Sequence, residues 1–145
     1  MKVWLFAATA AILSAAPRDV AGQARITTRT GVYSLPQATR GKDVYVGYCK
    51  SCHTPESHTG KIFHATWNGR RLSDMYSFIR DRMPKNEPGS LSDEEYADVL
   101  AYLLKLNLMP SGKSDLPSDS TKLSRIRIET NAPIKITKSS RGSSP

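Results

Sequence analysis

The sequence lacks the features that mark several large classes of protein. Its 145 residues suffice for one domain with a modest core. The one long apolar run, residues 3–16, is shorter than the roughly 20 residues that cross a bilayer. No basic motif is interleaved with aromatic residues, as is typical of nucleic-acid binding. We therefore expect a globular protein without stable membrane insertion and without a nucleic-acid partner.

The N-terminal residues 1–24 have the pattern of a signal peptide. Lys2 precedes the apolar run, and small residues follow it, so that cleavage after Gly22 or Ala24 fits the small-residue rule. The absence of cysteine from this region excludes a lipid anchor on an N-terminal cysteine. We expect an exported, periplasmic protein. Loss of two basic residues and one acidic residue lowers the formal charge from +8 to +7, and a basic protein favours acidic protein partners.

The remaining chain divides into an N-terminal arm (25–37), a helical domain (38–110) and a basic, serine-rich extension (111–145). Apolar spacing and capping signals predict helices over residues 38–50, 73–82 and 93–106. Ser73 is the expected N-cap of the second helix, and Ser92 with Glu95 forms a capping box before the third. Residues 53–71 show no clear periodicity and are predicted to be a loop.

The extension carries seven basic and three acidic residues. Ile126 and Ile128, then Ile134 and Ile136, alternate with polar residues around a break at 130–133, which indicates a short hairpin on the domain surface. A disordered tail is the alternative, and the last seven residues are predicted to be disordered.

Only two cysteines are present, and their spacing is the most informative feature of the sequence. Cys49 and Cys52 are followed directly by His53, in the motif CKSCH. Two thiols at this spacing on a helical turn reach two vinyl groups of one porphyrin, and the next histidine reaches the iron. A redox disulfide, a structural disulfide and a zinc site completed by His58 and His64 are the alternatives. The motif favours one covalently attached haem c, with its iron bound by His53.

A second axial ligand is needed if the iron only exchanges electrons. Met83 and Met109 both precede proline, which biases a residue toward an extended backbone and can hold a ligand loop open. Met83 is favoured because a predicted helix lies on each side of it, whereas Met109 follows the last helix and Met75 lies within one. His58 and His64 remain alternatives that would give bis-histidine ligation.

The chain resembles the class I c-type cytochromes. The resemblance rests on residues 40–45 (RGKDVY) before the CKSCH motif, on residues 82–84 (RMP), and on residues 88–104 (PGSLSDEEYADVLAYLL). It extends over about residues 32–108 and is strongest to small bacterial monohaem cytochromes associated with quinoprotein dehydrogenases. It implies an all-α fold in which the first and last helices cross near Gly41 and Tyr102.

The resemblance also implies site residues. It makes Met83 the second axial ligand, and it places Trp67 and Arg70 in the region near the haem propionates, where core packing and a solvated charge are the alternatives. The segment after His53 is shorter than in the family. It leaves open which group orients His53, and Pro55 is the nearest proline.

These features predict a periplasmic one-electron carrier rather than an enzyme. It would take electrons from a periplasmic dehydrogenase and deliver them to a respiratory oxidase or another cytochrome. One alternative is a gas-binding or catalytic haem protein with an open iron and His58 or His64 beside it. The other is a haem subunit bound permanently to a dehydrogenase through the basic extension.

Overall fold

Five α-helices and two short 3-10 helices form the described part of the chain, residues 25–130 of a computed structural model. The α-helices are α1 (Leu35–Tyr48), α2 (Gly60–Trp67), α3 (Leu72–Arg82), α4 (Asp93–Leu106) and α5 (Ser120–Leu123), and the 3-10 helices are Thr28–Thr30 and Pro55–His58. Pairing between extended segments of residues 25–130 is limited to isolated bridges. The predicted all-α class is confirmed, and the predicted signal peptide lies outside the described residues.

None of the helices within residues 25–130 combines the length and the apolar character that crossing a membrane requires.

Local capping sets the helix ends, and the predictions based on it succeed in part. Helix α4 has the predicted bounds, and the Ser92–Glu95 capping box is present. Helix α1 begins before the predicted residue 38 because the Ser34 side chain accepts a hydrogen bond from the Gln37 N–H, and proline is tolerated in a first turn. The prediction of Ser73 as N-cap of α3 is wrong, since Arg71 occupies that position and Ser73 is buried in the first turn.

The prediction of a loop over residues 53–71 is wrong, because this segment contains a 3-10 helix and α2. Helix α2 has only eight residues, and its two buried anchors are Phe63 and Trp67, four positions apart on one face. Two anchors are too few to produce a recognisable period in the sequence. The burial of these rings against the core is what stabilises so short a helix.

The crossing of α1 and α4 brings two backbones into direct contact. A Cβ atom added at Gly41 would lie 1.8 Å from the carbonyl oxygen of Asp98, so only glycine fits there. Further along the pair, the rings of Tyr45 and Tyr102 pack with their centroids 5.3 Å apart. The predicted crossing near Gly41 and Tyr102 is confirmed.

The first part of the C-terminal extension belongs to the core. Four of its apolar side chains are buried: Leu116, Leu123, Ile126 and Ile128. Residues 126–128 run between two other segments, with the Thr28 N–H donating to the Arg127 carbonyl on one side and the Leu72 N–H donating to the Ile126 carbonyl on the other, both at 2.9 Å. The isoleucine pair 126/128 is thus buried between the arm and the start of α3. Ile134 and Ile136, the other half of the predicted hairpin, lie outside the described residues.

Polar contacts fasten the beginning of the extension to α1. Asp115 accepts hydrogen bonds from the Ser34 hydroxyl and from the Arg40 guanidinium, which also pairs with Asp98. These two donors lower the pKa of the Asp115 carboxyl. The Gln37 side chain adds two hydrogen bonds to the backbone of Leu116.

The α1–α4 contact predicts opposite effects for two glycines of the same helix. Gly41→Ala should destabilise the protein by on the order of 3 kcal/mol, because the new methyl group forces the helices apart. Gly47→Ala is the matched control: nothing lies within 4 Å of its added Cβ, so it should stabilise α1 by about 0.4–1 kcal/mol. Denaturant unfolding of both variants is the measurement, and equal effects would contradict the tight crossing.

The burial of the extension predicts that its isoleucines support the whole domain. Ile128 is 0% exposed, so Ile128→Ala should lower the free energy of unfolding by about 2–5 kcal/mol. Ile62, which is 66% exposed, is the control for the same substitution and should change stability by no more than about 0.5 kcal/mol. If Ile128→Ala is as harmless as Ile62→Ala in thermal or denaturant unfolding, the extension does not contribute to the core.

Candidate functional site

A cavity of about 660 Å³ opens between the end of α1, helix α3 and helix α4. Its size falls within the range of about 300–1,000 Å³ that is typical of ligand and cofactor sites. Most of its wall is apolar, with the side chains of Trp67, Met75, Phe78, Ile79, Val99 and Leu103. Such a wall suits a large, mostly apolar group rather than a hydrated ion.

The CKSCH motif lies at one side of this cavity. Helix α1 ends at Tyr48, but the chain continues as a further turn, in which the Cys52 and His53 N–H groups donate to the Cys49 carbonyl at 3.1 and 2.9 Å. This turn brings Cys49, Cys52 and His53 together at the cavity, and both thiols are free. Burial raises the pKa of the Cys49 thiol. The sequence-predicted attachment residues therefore share one site.

Two aromatic residues surround His53. The Tyr45 hydroxyl donates to the His53 carbonyl at 3.2 Å, and the His58 ring lies with its centroid 4.9 Å from that of the His53 imidazole. Burial, then the neighbouring Cys49, raises the pKa of Tyr45 to about 12, so its hydroxyl remains a donor at neutral pH. Burial, then His53, lowers the pKa of His58. The Tyr45 hydroxyl thus fixes the backbone of the predicted iron ligand, while His58 contacts its ring.

Met83 lines the same cavity, directly after the end of α3. Its backbone is extended, with φ −134° and ψ 148°, as predicted for a residue before proline. The Met83 N–H donates to the Ile79 carbonyl at 2.8 Å, and the Met83 carbonyl accepts from the Tyr96 hydroxyl at 2.8 Å. The sequence pattern places Tyr96 in the predicted helix 93–106 and gives it no role at the site. The signal that could have found its role is that a buried tyrosine hydroxyl needs a partner.

The other candidate iron ligands differ in whether they line the cavity. Met75 lines the cavity from within α3, and His58 lines it beside His53. Met109 is buried away from the cavity, where its carbonyl accepts from the Tyr33 hydroxyl at 2.7 Å. His64 lies on α2 and does not line the cavity. The cavity thus brings Met83 together with the attachment motif and leaves Met109 and His64 out.

Trp67 and Arg70 lie next to one another at the edge of the site. Trp67 forms part of the cavity wall, and the Arg70 guanidinium carbon lies 4.8 Å from the centre of the Trp67 ring. Arg70 itself does not line the cavity, and its Nε is 3.7 Å from the Asp74 carboxylate. Arg70 therefore stacks on Trp67 without lining the cavity itself.

The residues around the cavity fit a covalently bound haem. The two thiols of Cys49 and Cys52 match the two groups through which haem c is attached. The imidazole of His53 and the thioether sulfur of Met83 match the iron, and the mainly apolar rest of the wall matches the porphyrin face. A zinc site needs three or four nitrogen, sulfur or oxygen ligands that converge on one point. Within residues 25–130, no group of three or more His, Cys, Asp or Glu could hold a metal ion by itself.

Comparison with known proteins agrees with this assignment. A family model described as "Cytochrome C oxidase, cbb3-type, subunit III" matches residues 36–103. No curated protein and no solved structure matches the chain. The matched range begins in the first turn of α1, includes both cysteines and Met83, and ends in α4, so it contains the residues that form the cavity.

Proposed function

We propose that this class I c-type cytochrome, with its cytochrome domain over residues 36–103 and its covalent haem c, passes single electrons from a periplasmic dehydrogenase to a respiratory acceptor. A haem-based electron carrier is the function that the family match supports. Haem iron supplies the chemistry by alternating between its ferric and ferrous states. The periplasmic location and the two partners are the finer part of the proposal.

The observation that carries the proposal is the meeting of four side chains at one cavity. In this proposal Cys49 and Cys52 hold the haem by thioether bonds, and His53 and Met83 bind the iron. If both of these side chains bind the iron, it would have no free position for a substrate. The protein then provides binding, orientation and an electrostatic environment rather than catalysis.

The surroundings of the proposed ligands favour rapid electron exchange. The thioether of Met83 is a neutral, soft ligand that stabilises ferrous iron and raises the potential. Tyr96 and Ile79 hold the backbone of Met83 from both sides, so the sulfur can stay in place when the iron changes charge. We further propose that Trp67 contacts the haem edge and that Arg70, stacked on Trp67, contributes positive charge near the propionates.

Basic residues near the cavity support an acidic docking partner. Lys85 lines the cavity, and Lys50 lies between the two cysteines with an exposed side chain. Arg82 is also exposed and lies over the ring of Phe78, another residue of the cavity wall. Charges at these positions would steer an acidic protein toward the haem edge, and the effect would weaken as salt increases.

A second candidate function is that of a haem subunit in a larger respiratory complex. The description of the matching family names an oxidase subunit. The sequence indicates the basic extension as the docking element of such a subunit. Because residues 111–129 contribute four buried side chains to this domain, the docking role would fall to residues beyond Thr130 or to the exposed face of the domain.

The ligand assignment predicts a difference between two methionines of the same cavity. Met83→Leu should abolish the weak far-red absorption band of the ferric protein and let the ferrous protein bind carbon monoxide, because the iron loses a ligand. Met75→Leu, which alters the buried wall within α3, should keep the band and exclude carbon monoxide. Absorption spectra with and without carbon monoxide are the measurement. Carbon monoxide binding by the unaltered protein would instead favour the gas-binding alternative.

The free carrier and the complex subunit predict different behaviour on truncation. A chain that ends at Thr130 retains the buried part of the extension, so it should fold and take up haem. If the protein is a free carrier, the full chain and the truncated chain should both elute as monomers in size-exclusion chromatography of native membrane-free extracts. Both should also exchange electrons with a small-molecule mediator at equal rates. Elution of the full chain in a large complex, lost on truncation, would establish the subunit role.

A further inference from the structure

The ring plane of His53 is not fixed by its own rotamer preferences. The terminal torsion of a histidine side chain is broad, so neighbours must set the orientation of the imidazole. In metal sites the orientation of a ligating histidine is commonly set by a neighbouring group that is not itself a ligand. Loss of that group changes the properties of the metal. The sequence leaves that group open, and Pro55 is only the nearest proline.

The structure brings His58 to this position through a short reversal of the chain. Pro55 opens the 3-10 helix Pro55–His58, in which the Ser57 N–H donates to the Thr54 carbonyl at 3.0 Å. The turn folds the chain back within five residues of His53. His58 therefore returns to the cavity with its ring centroid 4.9 Å from that of His53 and with the two planes 52° apart.

His58 is itself held on two sides. Its ring meets the Tyr45 ring edge-on, at 88° and with the centroids 5.9 Å apart. Its backbone carbonyl accepts a hydrogen bond from the Asn107 side chain at 2.9 Å, which ties the turn to the end of α4. Because Tyr45 also donates to the His53 carbonyl, one tyrosine of α1 contacts both histidines.

From these contacts we propose that His58 is the positioning residue of His53 and that its ring sets the plane of the axial imidazole. This role rests on the proposed function of His53 as an iron ligand. The proposal also differs from the hypothesis that His58 is the second iron ligand. A residue in ring contact with His53 lies beside that ligand, whereas a second ligand would lie on the opposite side of the iron. Its function is to restrict rotation of His53, not to replace Met83.

The test is the paramagnetic proton NMR spectrum of the ferric, haem-loaded protein. The shifts of the haem methyl groups depend on the plane of the axial imidazole. His58→Ala should change their order or spread, because His53 gains rotational freedom. His58→Phe keeps a ring of similar shape between Tyr45 and His53, so it should restore the pattern of the unaltered protein. His64→Ala, a partly buried histidine away from the cavity, should leave the pattern unchanged.

The proposal is overturned if His58→Ala keeps the methyl pattern of the unaltered protein, or if His58→Phe shifts it as far as His58→Ala does. Should His58→Ala fail to retain haem, His58→Leu preserves most of the side-chain volume and carries the same expectation. The methyl pattern depends on the ligands on both faces of the iron, so a change in it is assigned to the His53 plane when the far-red band of the variant shows that Met83 is still bound. Failure of the Met83 assignment appears separately, as a missing far-red band in the unaltered protein.

Discussion

The backbone contact between α1 and α4 at Gly41 is the constraint on which the site depends. Helix α1 leads into the turn that carries Cys49, Cys52 and His53, while α4 supplies part of the cavity wall and the hydroxyl that holds Met83. Because no side chain separates the helices at their crossing, both the distance and the register between them are fixed by the main chain. One contact outside the cavity therefore positions both the turn that carries the cysteines and the part of the wall that α4 supplies. The residues that line the cavity are then free to contact the cofactor.

The parts of the fold that could be predicted from the sequence are those encoded locally. The Ser92–Glu95 capping box defines the start of α4, because both of its hydrogen bonds lie within four residues. The cysteine motif and the Met83–Pro84 pair are also local signals; they indicate the proposed site residues, and the structure brings these residues to one cavity. Helix α2 was missed because Phe63 and Trp67 give too short a pattern, and its stability comes from packing.

Long-range partners were beyond the reach of the sequence. The alternation at Ile126 and Ile128 indicates an extended segment, but it does not show that the neighbours are the arm and the start of α3, which lie about a hundred and about fifty residues away. The residues that contact the proposed ligands could not be predicted from the sequence either. Tyr96 reaches Met83 across a turn, and His58 returns to His53 only because Pro55 begins a 3-10 helix. Spacing indicates the proposed ligands but not the residues that contact them.

The bridging position of residues 126–128 has a consequence for the order of folding. The Thr28 side chain donates to the Glu129 carbonyl and accepts from the Glu129 N–H, across a separation of 101 residues. The contacts within α1, α3 and α4 are local and form quickly. Joining Thr28 to Glu129 closes a loop of about a hundred residues, which has a larger entropic cost. We therefore expect the two ends of the described chain to join after the individual helices have formed. Until the two ends join, the apolar surface that Ile126 and Ile128 cover is open to solvent, so their docking completes the core.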